Sequence, residues 1–209
     1  MTRLTSLILP IFLFPALFLM ADPVTADSKD LDRIKARLGQ KAIIHADFTQ
    51  VKSLEAFKRP ISSSGHLVVS QDQGILWQIE SPYQVTFVVK GEAFLEVHPD
   101  GSVRSRGSEG VRSQSHISRL FGALFSGNAR ELEKYFNVRG YDSDEHWQLE
   151  LRPQEEMAHY LKVVAITGTD FVDDISIEEA GGDTIKITFS HQSGSEPLSD
   201  DESRLFALE

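Results

Sequence analysis

The chain has 209 residues, no cysteine and a formal net charge of −10. Without a thiol it can form no disulfide and cannot be acylated on cysteine. An acidic balance also argues against a nucleic-acid partner, which demands a positive contact surface, and fits the plain solubility of an exported protein.

Arg3 precedes an apolar run from Leu7 to Met20, and Val24-Thr25-Ala26 follows as a small-residue cleavage pattern. Residues 1–26 are therefore expected to be a cleavable signal peptide, with Asp27 opening the mature chain. The rival is a membrane anchor, but a spanning helix takes about 20 apolar residues, and this shorter run also holds Pro10 and Pro15. Export of a cysteine-free chain is compatible with the periplasm of a Gram-negative cell, an extracellular destination being the alternative. Residues 27–209 contain no dividing linker and are expected to form one domain.

Ser28 is placed to cap a helix from Lys29 to Leu38, with Leu31, Ile34 and Leu38 on one side and Gly39 as the stop. Strands are expected at about Ala42 to Val51, His66 to Ser70, Ile75 to Glu80, Tyr83 to Val89 and Ala93 to Val97, punctuated by turn residues at Gly74, Ser81-Pro82, Lys90-Gly91 and His98 to Gly101. Leu67 and Val69 share one face of their strand, and Ile75, Trp77 and Ile79 share one face of the next. A large apolar wall is being built. Between Ser113 and Ser126, Ile117, Leu120, Phe121, Leu124 and Phe125 recur at helical spacing, and a short helix over Ala129 to Tyr135 follows. A second antiparallel series covers Phe136 to Tyr141, His146 to Leu151, Leu161 to Ile166, Asp174 to Glu179 and Thr184 to Ser190, with Gly181-Gly182-Asp183 as its clearest turn. The tail beyond His191 is polar until Leu205, Phe206 and Leu208 and is expected to pack loosely or cover an edge.

Phe48-Thr49-Gln50, Ser64-Gly65-His66-Leu67, Gly74-Ile75-Leu76-Trp77 with Pro82 downstream, and Val88-Val89-Lys90-Gly91 together resemble the pattern of LolA-type periplasmic lipoprotein carriers. In its spacing and its Ser-rich run Ser62-Ser63-Ser64-Gly65 the chain looks nearer to a divergent LolA-like branch. The resemblance implies a mainly β fold, an open, incomplete antiparallel β-barrel covered by an α-helical lid. Its apolar cavity would shield the acyl chains of a lipoprotein or lipid on the way from an inner-membrane donor complex to an outer-membrane acceptor. It makes Ile75 and Trp77 cavity-facing, and the period of two adds Leu67, Val69, Val85 and Phe87; Leu120, Phe121 and Leu124 are the lid candidates. Each of these residues serves equally well as ordinary core. A sensor or adaptor domain that docks a protein partner is the alternative within the same fold. A monomer is expected.

One departure from the family pattern is Gln71, standing where the carriers have an arginine that tethers the lid. Glutamine hydrogen-bonds without charge, so the latch is weaker or lies elsewhere. Arg104, Arg106, Arg112 and Arg119 form a basic run that either meets a lipid phosphate or is simply solvated.

Nothing points to catalysis. The seven histidines are scattered, and the chain has no H-E-x-x-H, G-x-S-x-G or P-loop sequence. Ser62, Ser63 and Ser64 beside His66 read as a loop between strands, and Asp142, Asp144 and Glu145 read as a solvated hairpin tip without the glycine and closing glutamate of a calcium loop. No catalytic residue, metal or cofactor is expected.

Overall fold

The computed structural model describes residues 28–57, 59–91, 93–105, 132–143 and 145–208. The order is α1 (Ser28–Leu38), β1 (Ile43–Ser53), β2 (Ile61–Ser70), β3 (Gly74–Ser81), β4 (Val85–Lys90), β5 (Ala93–Val97), β6 (Val103–Ser105), β7 (Phe136–Asp142), β8 (Trp147–Pro153), a 3-10 turn at Glu155–His159, β9 (Leu161–Gly168), β10 (Val172–Glu179), β11 (Thr184–Ser193) and α2 (Asp200–Phe206). The strands form a single antiparallel sheet ordered β6-β5-β4-β3-β2-β1-β11-β10-β9-β8-β7. One apolar interior draws on α1 and on β1 to β4 and β7 to β11. Strands so far apart in the order meet around one core only if the sheet curls, while among the described residues β6 and β7 are not paired with each other. The expected open barrel is therefore what forms. The expected lid helix at 113–126, with Leu120, Phe121 and Leu124, lies outside the described residues, as do Arg106, Arg112 and Arg119.

Helix α1 covers the concave side through Leu31, Ile34 and Leu38. It comes very close to β7: a Cβ at Gly140 would lie 2.6 Å from a Leu31 methyl carbon, so any larger residue there obliges the Leu31 side chain to shift. Asp142 fastens the same contact, meeting Arg33 Nε at 2.9 Å and Arg37 Nη2 at 3.2 Å with its side chain 3% exposed. The solvated hairpin tip expected here is corrected at that residue, because two cations from α1 fold over the carboxylate and take it out of water.

Ser62, Ser63 and Ser64 are not a loop. The β1–β2 hairpin is longer than its apolar pattern suggests, and these serines pair with Val51, Gln50 and Thr49. Backbone pairing with a long neighbour overrides their turn preference. At Gly65 the β2–β3 register slips past Glu80, and a Cβ there would collide with the Gln78 carbonyl. The glycine is a requirement of that bulge.

The tail is also corrected. It forms α2 on the convex face, where Phe206 is buried with Val68, Leu76, Val88 and Leu95, and Leu198, Leu205 and Leu208 pack around them. A capping box between Ser199 and Glu202 starts the helix, and Glu202 approaches His45 of β1 at 3.3 Å. The apolar residues of the opposite strand parity needed cover, and the tail supplies it.

Candidate apolar cavity wall

The candidate site is built by the pairing of β2, β3, β4 and β5. Leu67 faces Trp77, Trp77 faces Phe87, and Phe87 faces Glu96; one step along, Val69, Ile75, Val89 and Phe94 form a second row. Ile79 and Val85 pair at the end. Directly opposite residues share a face, so these rows are one continuous apolar strip on the concave side.

Burial grades along it. Leu67, Val69 and Ile75 are buried in the interior, whereas Trp77, Val85 and Phe87 are only half-buried. Trp77 rests on Phe48 with ring centroids 4.1 Å apart and meets Phe189 edge-on at 6.3 Å. Phe87 stacks on Phe94 at 5.2 Å. The strip thus begins as packed core at β2 and becomes partly open apolar surface by β4. Deeper in, Leu38, Ile44, Leu67 and Phe189 line a void of about 10 Å³, beside Lys41 and Asp170. That holds one water at most.

Sequence reasoning missed Glu96, 6% exposed on the concave parity next to Phe87 and Phe94. His98 Nε2 lies 2.9 Å from Glu96 Oε1, and Arg104, exposed on β6, stands opposite Glu96. The signal was a lone carboxylate on a strand that is apolar at both parities, Phe94-Leu95-Glu96-Val97. Gln71 donates from Nε2 to the carbonyls of Gly39 and Lys41, each at 3.0 Å. It therefore ties the β2–β3 turn to the junction between α1 and β1.

On the convex face, His66 Nδ1 meets Asp47 Oδ1 at 2.5 Å and its Nε2 faces Glu80 Oε1 at 3.4 Å. Both ring nitrogens are thus taken up by carboxylates. His191 meets the other Asp47 oxygen at 2.8 Å. This hydrogen bond, with help from His66, holds the Asp47 carboxyl below its ordinary range despite the opposing effect of burial. Among the described residues no group of three or more His, Cys, Asp or Glu side chains is arranged to hold a metal ion.

The family model described as outer membrane lipoprotein carrier protein LolA-like matches residues 23–178. Among solved structures, the chain is similar to a LolA superfamily protein from Nitrosomonas europaea, with 12% identity, a TM-score of 0.50, and coverage of 85% of this chain and 96% of that one. A putative outer membrane lipoprotein-sorting protein domain from Vibrio parahaemolyticus gives 12% identity and a TM-score of 0.50, covering 85% of this chain and 98% of its own. At such identity the likeness is one of fold. No curated protein sequence matches the chain.

Proposed function

The chain belongs to the LolA-like family of outer membrane lipoprotein carrier proteins, and from that premise we propose that it is a periplasmic carrier, exported by the signal peptide at residues 1–26. In this reading residues 27–209 take up the acyl chains of a lipoprotein or lipid and shield them between an inner-membrane donor and an outer-membrane acceptor. The work is sequestration, with no reaction. The observation that carries the reading is the half-buried apolar strip of Trp77, Val85 and Phe87, continuous with the packed interior at Leu67, Val69 and Ile75.

Each buried methylene is worth roughly 0.8 kcal/mol, so a hydrocarbon tail leaves a membrane at a useful rate only into an apolar sleeve. The void of about 10 Å³ beside Lys41 and Asp170 is far smaller than such a tail. In this reading the tail therefore lies along the strip itself, on the β3–β4 side where it is least covered. Gln71 then acts as a latch at the α1–β1 junction. Glu96 and His98 put a polar pair at the outer end of the strip, suited to the linkage between tail and head.

Native mass spectrometry with lipid extraction, on protein purified from its own periplasm, tests the reading. A specific acyl species that Phe87→Glu loses is the expected result, because the substitution puts an unpaired charge on the strip. Co-purification of a stable protein partner with no lipid would instead favour an adaptor.

A further inference from the structure

Five large apolar side chains stand exposed among the described residues: Phe57 at 68%, Ile61 at 55%, Tyr83 at 81%, Val103 at 41% and Tyr141 at 51%. Their distribution is uneven. Phe57 lies in the loop joining β1 to β2, Ile61 opens β2, Tyr83 lies in the turn after β3, and Val103 opens β6. The pairings Lys52 with Ile61, Ser64 with Ser81, Ile79 with Val85, and Val97 with Val103 put all four at the same end of neighbouring strands. Only Tyr141, near the C-terminal end of β7, lies at the other.

Resting on the carrier reading, we propose that this rim is a docking surface for a phospholipid bilayer, inserted shallowly so that cargo passes between membrane and cavity without entering water. Three features favour a bilayer over a protein as occupant. The apolar side chains stand on separate connections spread over six strands, about 24 Å at the usual spacing of neighbouring strands, which suits a broad soft surface better than a pocketed one. The concave strip runs out to this end: Ile79 and Val85 are its last pair before the turn carrying Tyr83, and Ile61 has the strand parity of Leu67 and Val69. A hydrocarbon path that meets the rim serves a hydrocarbon phase. Finally, Tyr83 is the most exposed of the four and pairs an apolar ring with a hydroxyl, as side chains at membrane–water interfaces do. Arg59 and Arg104 are exposed at this end, as are Glu55 and Asp100.

The test is flotation with protein-free vesicles of phosphatidylethanolamine and phosphatidylglycerol. The wild type is expected to float. Combining Phe57→Ser, Ile61→Ser and Tyr83→Ser is expected to weaken vesicle binding at least about tenfold, since three apolar side chains no longer leave water, while Tyr141→Ser leaves it unchanged. All these side chains are exposed, so the variants should melt with the wild type. A wild type that ignores protein-free vesicles but binds native membranes overturns the proposal in favour of a protein receptor. Flotation untouched by the triple substitution, or weakened equally by Tyr141→Ser, overturns it as well. Uptake of a monomeric fluorescent fatty acid from water is read separately, and it is expected to survive the triple substitution. Its absence in the wild type would sink the carrier reading and leave the flotation result standing.

Discussion

The two halves of the sheet solve different problems. In β8 to β11 the apolar residues face inward, and the outer face is a polar ladder in which Lys162 pairs with Glu178 and Lys186 with Asp174. This is the alternation of a sheet with one wet side. In β2 to β5 both faces are apolar: Val68, Leu76, Val88 and Leu95 are buried under α2 on the convex side, and Trp77, Val85 and Phe87 are half-covered on the concave side. A half that served only as scaffold would need one apolar face. The second core behind β2 to β5 backs those strands while Trp77, Val85 and Phe87 stay half-covered in front; under the carrier reading that half-covered front is the binding side.

That division can be broken by truncations on either side. Trp147, with no exposed surface and its Nε1 donating to the Thr169 carbonyl at 2.8 Å, belongs to the scaffold half. Trp147→Ala is expected to cost about 5 kcal/mol in chemical denaturation, with acyl uptake per folded molecule unchanged. Phe206→Ala, which empties the core behind β2 to β5, is expected to cost about 3 kcal/mol, less because a terminal helix can resettle. It should also reduce uptake, since the wall loses its backing. Phe87→Ala is expected to lower uptake of a fluorescent fatty acid at least about tenfold while costing less than about 1.5 kcal/mol, because the ring is only half-buried. Equal stability losses from Trp147→Ala and Phe87→Ala would erase the distinction between the halves.

The smallest effect concerns pH. Burial pushes the Glu202 carboxyl upward, but hydrogen bonds with Ser199 and the nearby His45 outweigh it and leave it below the ordinary range. A carboxylate depressed on folding stabilises the protein above its unfolded pKa of about 4.3 and loses that contribution as pH falls through the folded value. Glu202→Gln should therefore lower the melting temperature slightly at neutral pH, with the gap to wild type closing as acid is added. No gap at any pH would show that α2 is held by its apolar side alone.

Much of this fold was legible because a strand's period of two is hard to disguise. Leu67 and Val69, and Ile75, Trp77 and Ile79, share a face as their spacing requires. The convex core was missed because Leu67-Val68-Val69, Ile75-Leu76-Trp77 and Phe87-Val88-Val89 are apolar at both parities, and one apolar face was enough to account for a wall. Continuous apolar runs signal a strand covered on both sides. The cover itself was hidden in a polar tail, although Ser199 followed three residues later by Glu202 is a helix-start signature. Glu96 escaped for a different reason: its burial depends on which strands flank it, and the pairing with β6 has no pattern in the sequence. Of the proposed cavity residues, spacing alone could not separate Leu67, Val69 and Ile75, now deep in the interior, from the half-covered Trp77, Val85 and Phe87. That separation follows from where the sheet curls.

The open seam has a consequence for behaviour at high concentration. Unpaired strand edges recruit other chains into fibrils, yet β6, at one margin of the sheet, is three residues long and carries Arg104 at its centre. So short a stub, with a cation in the middle, is a poor template for a neighbouring molecule. Resistance to polymerisation at that margin is thus set by the shortest of the described strands.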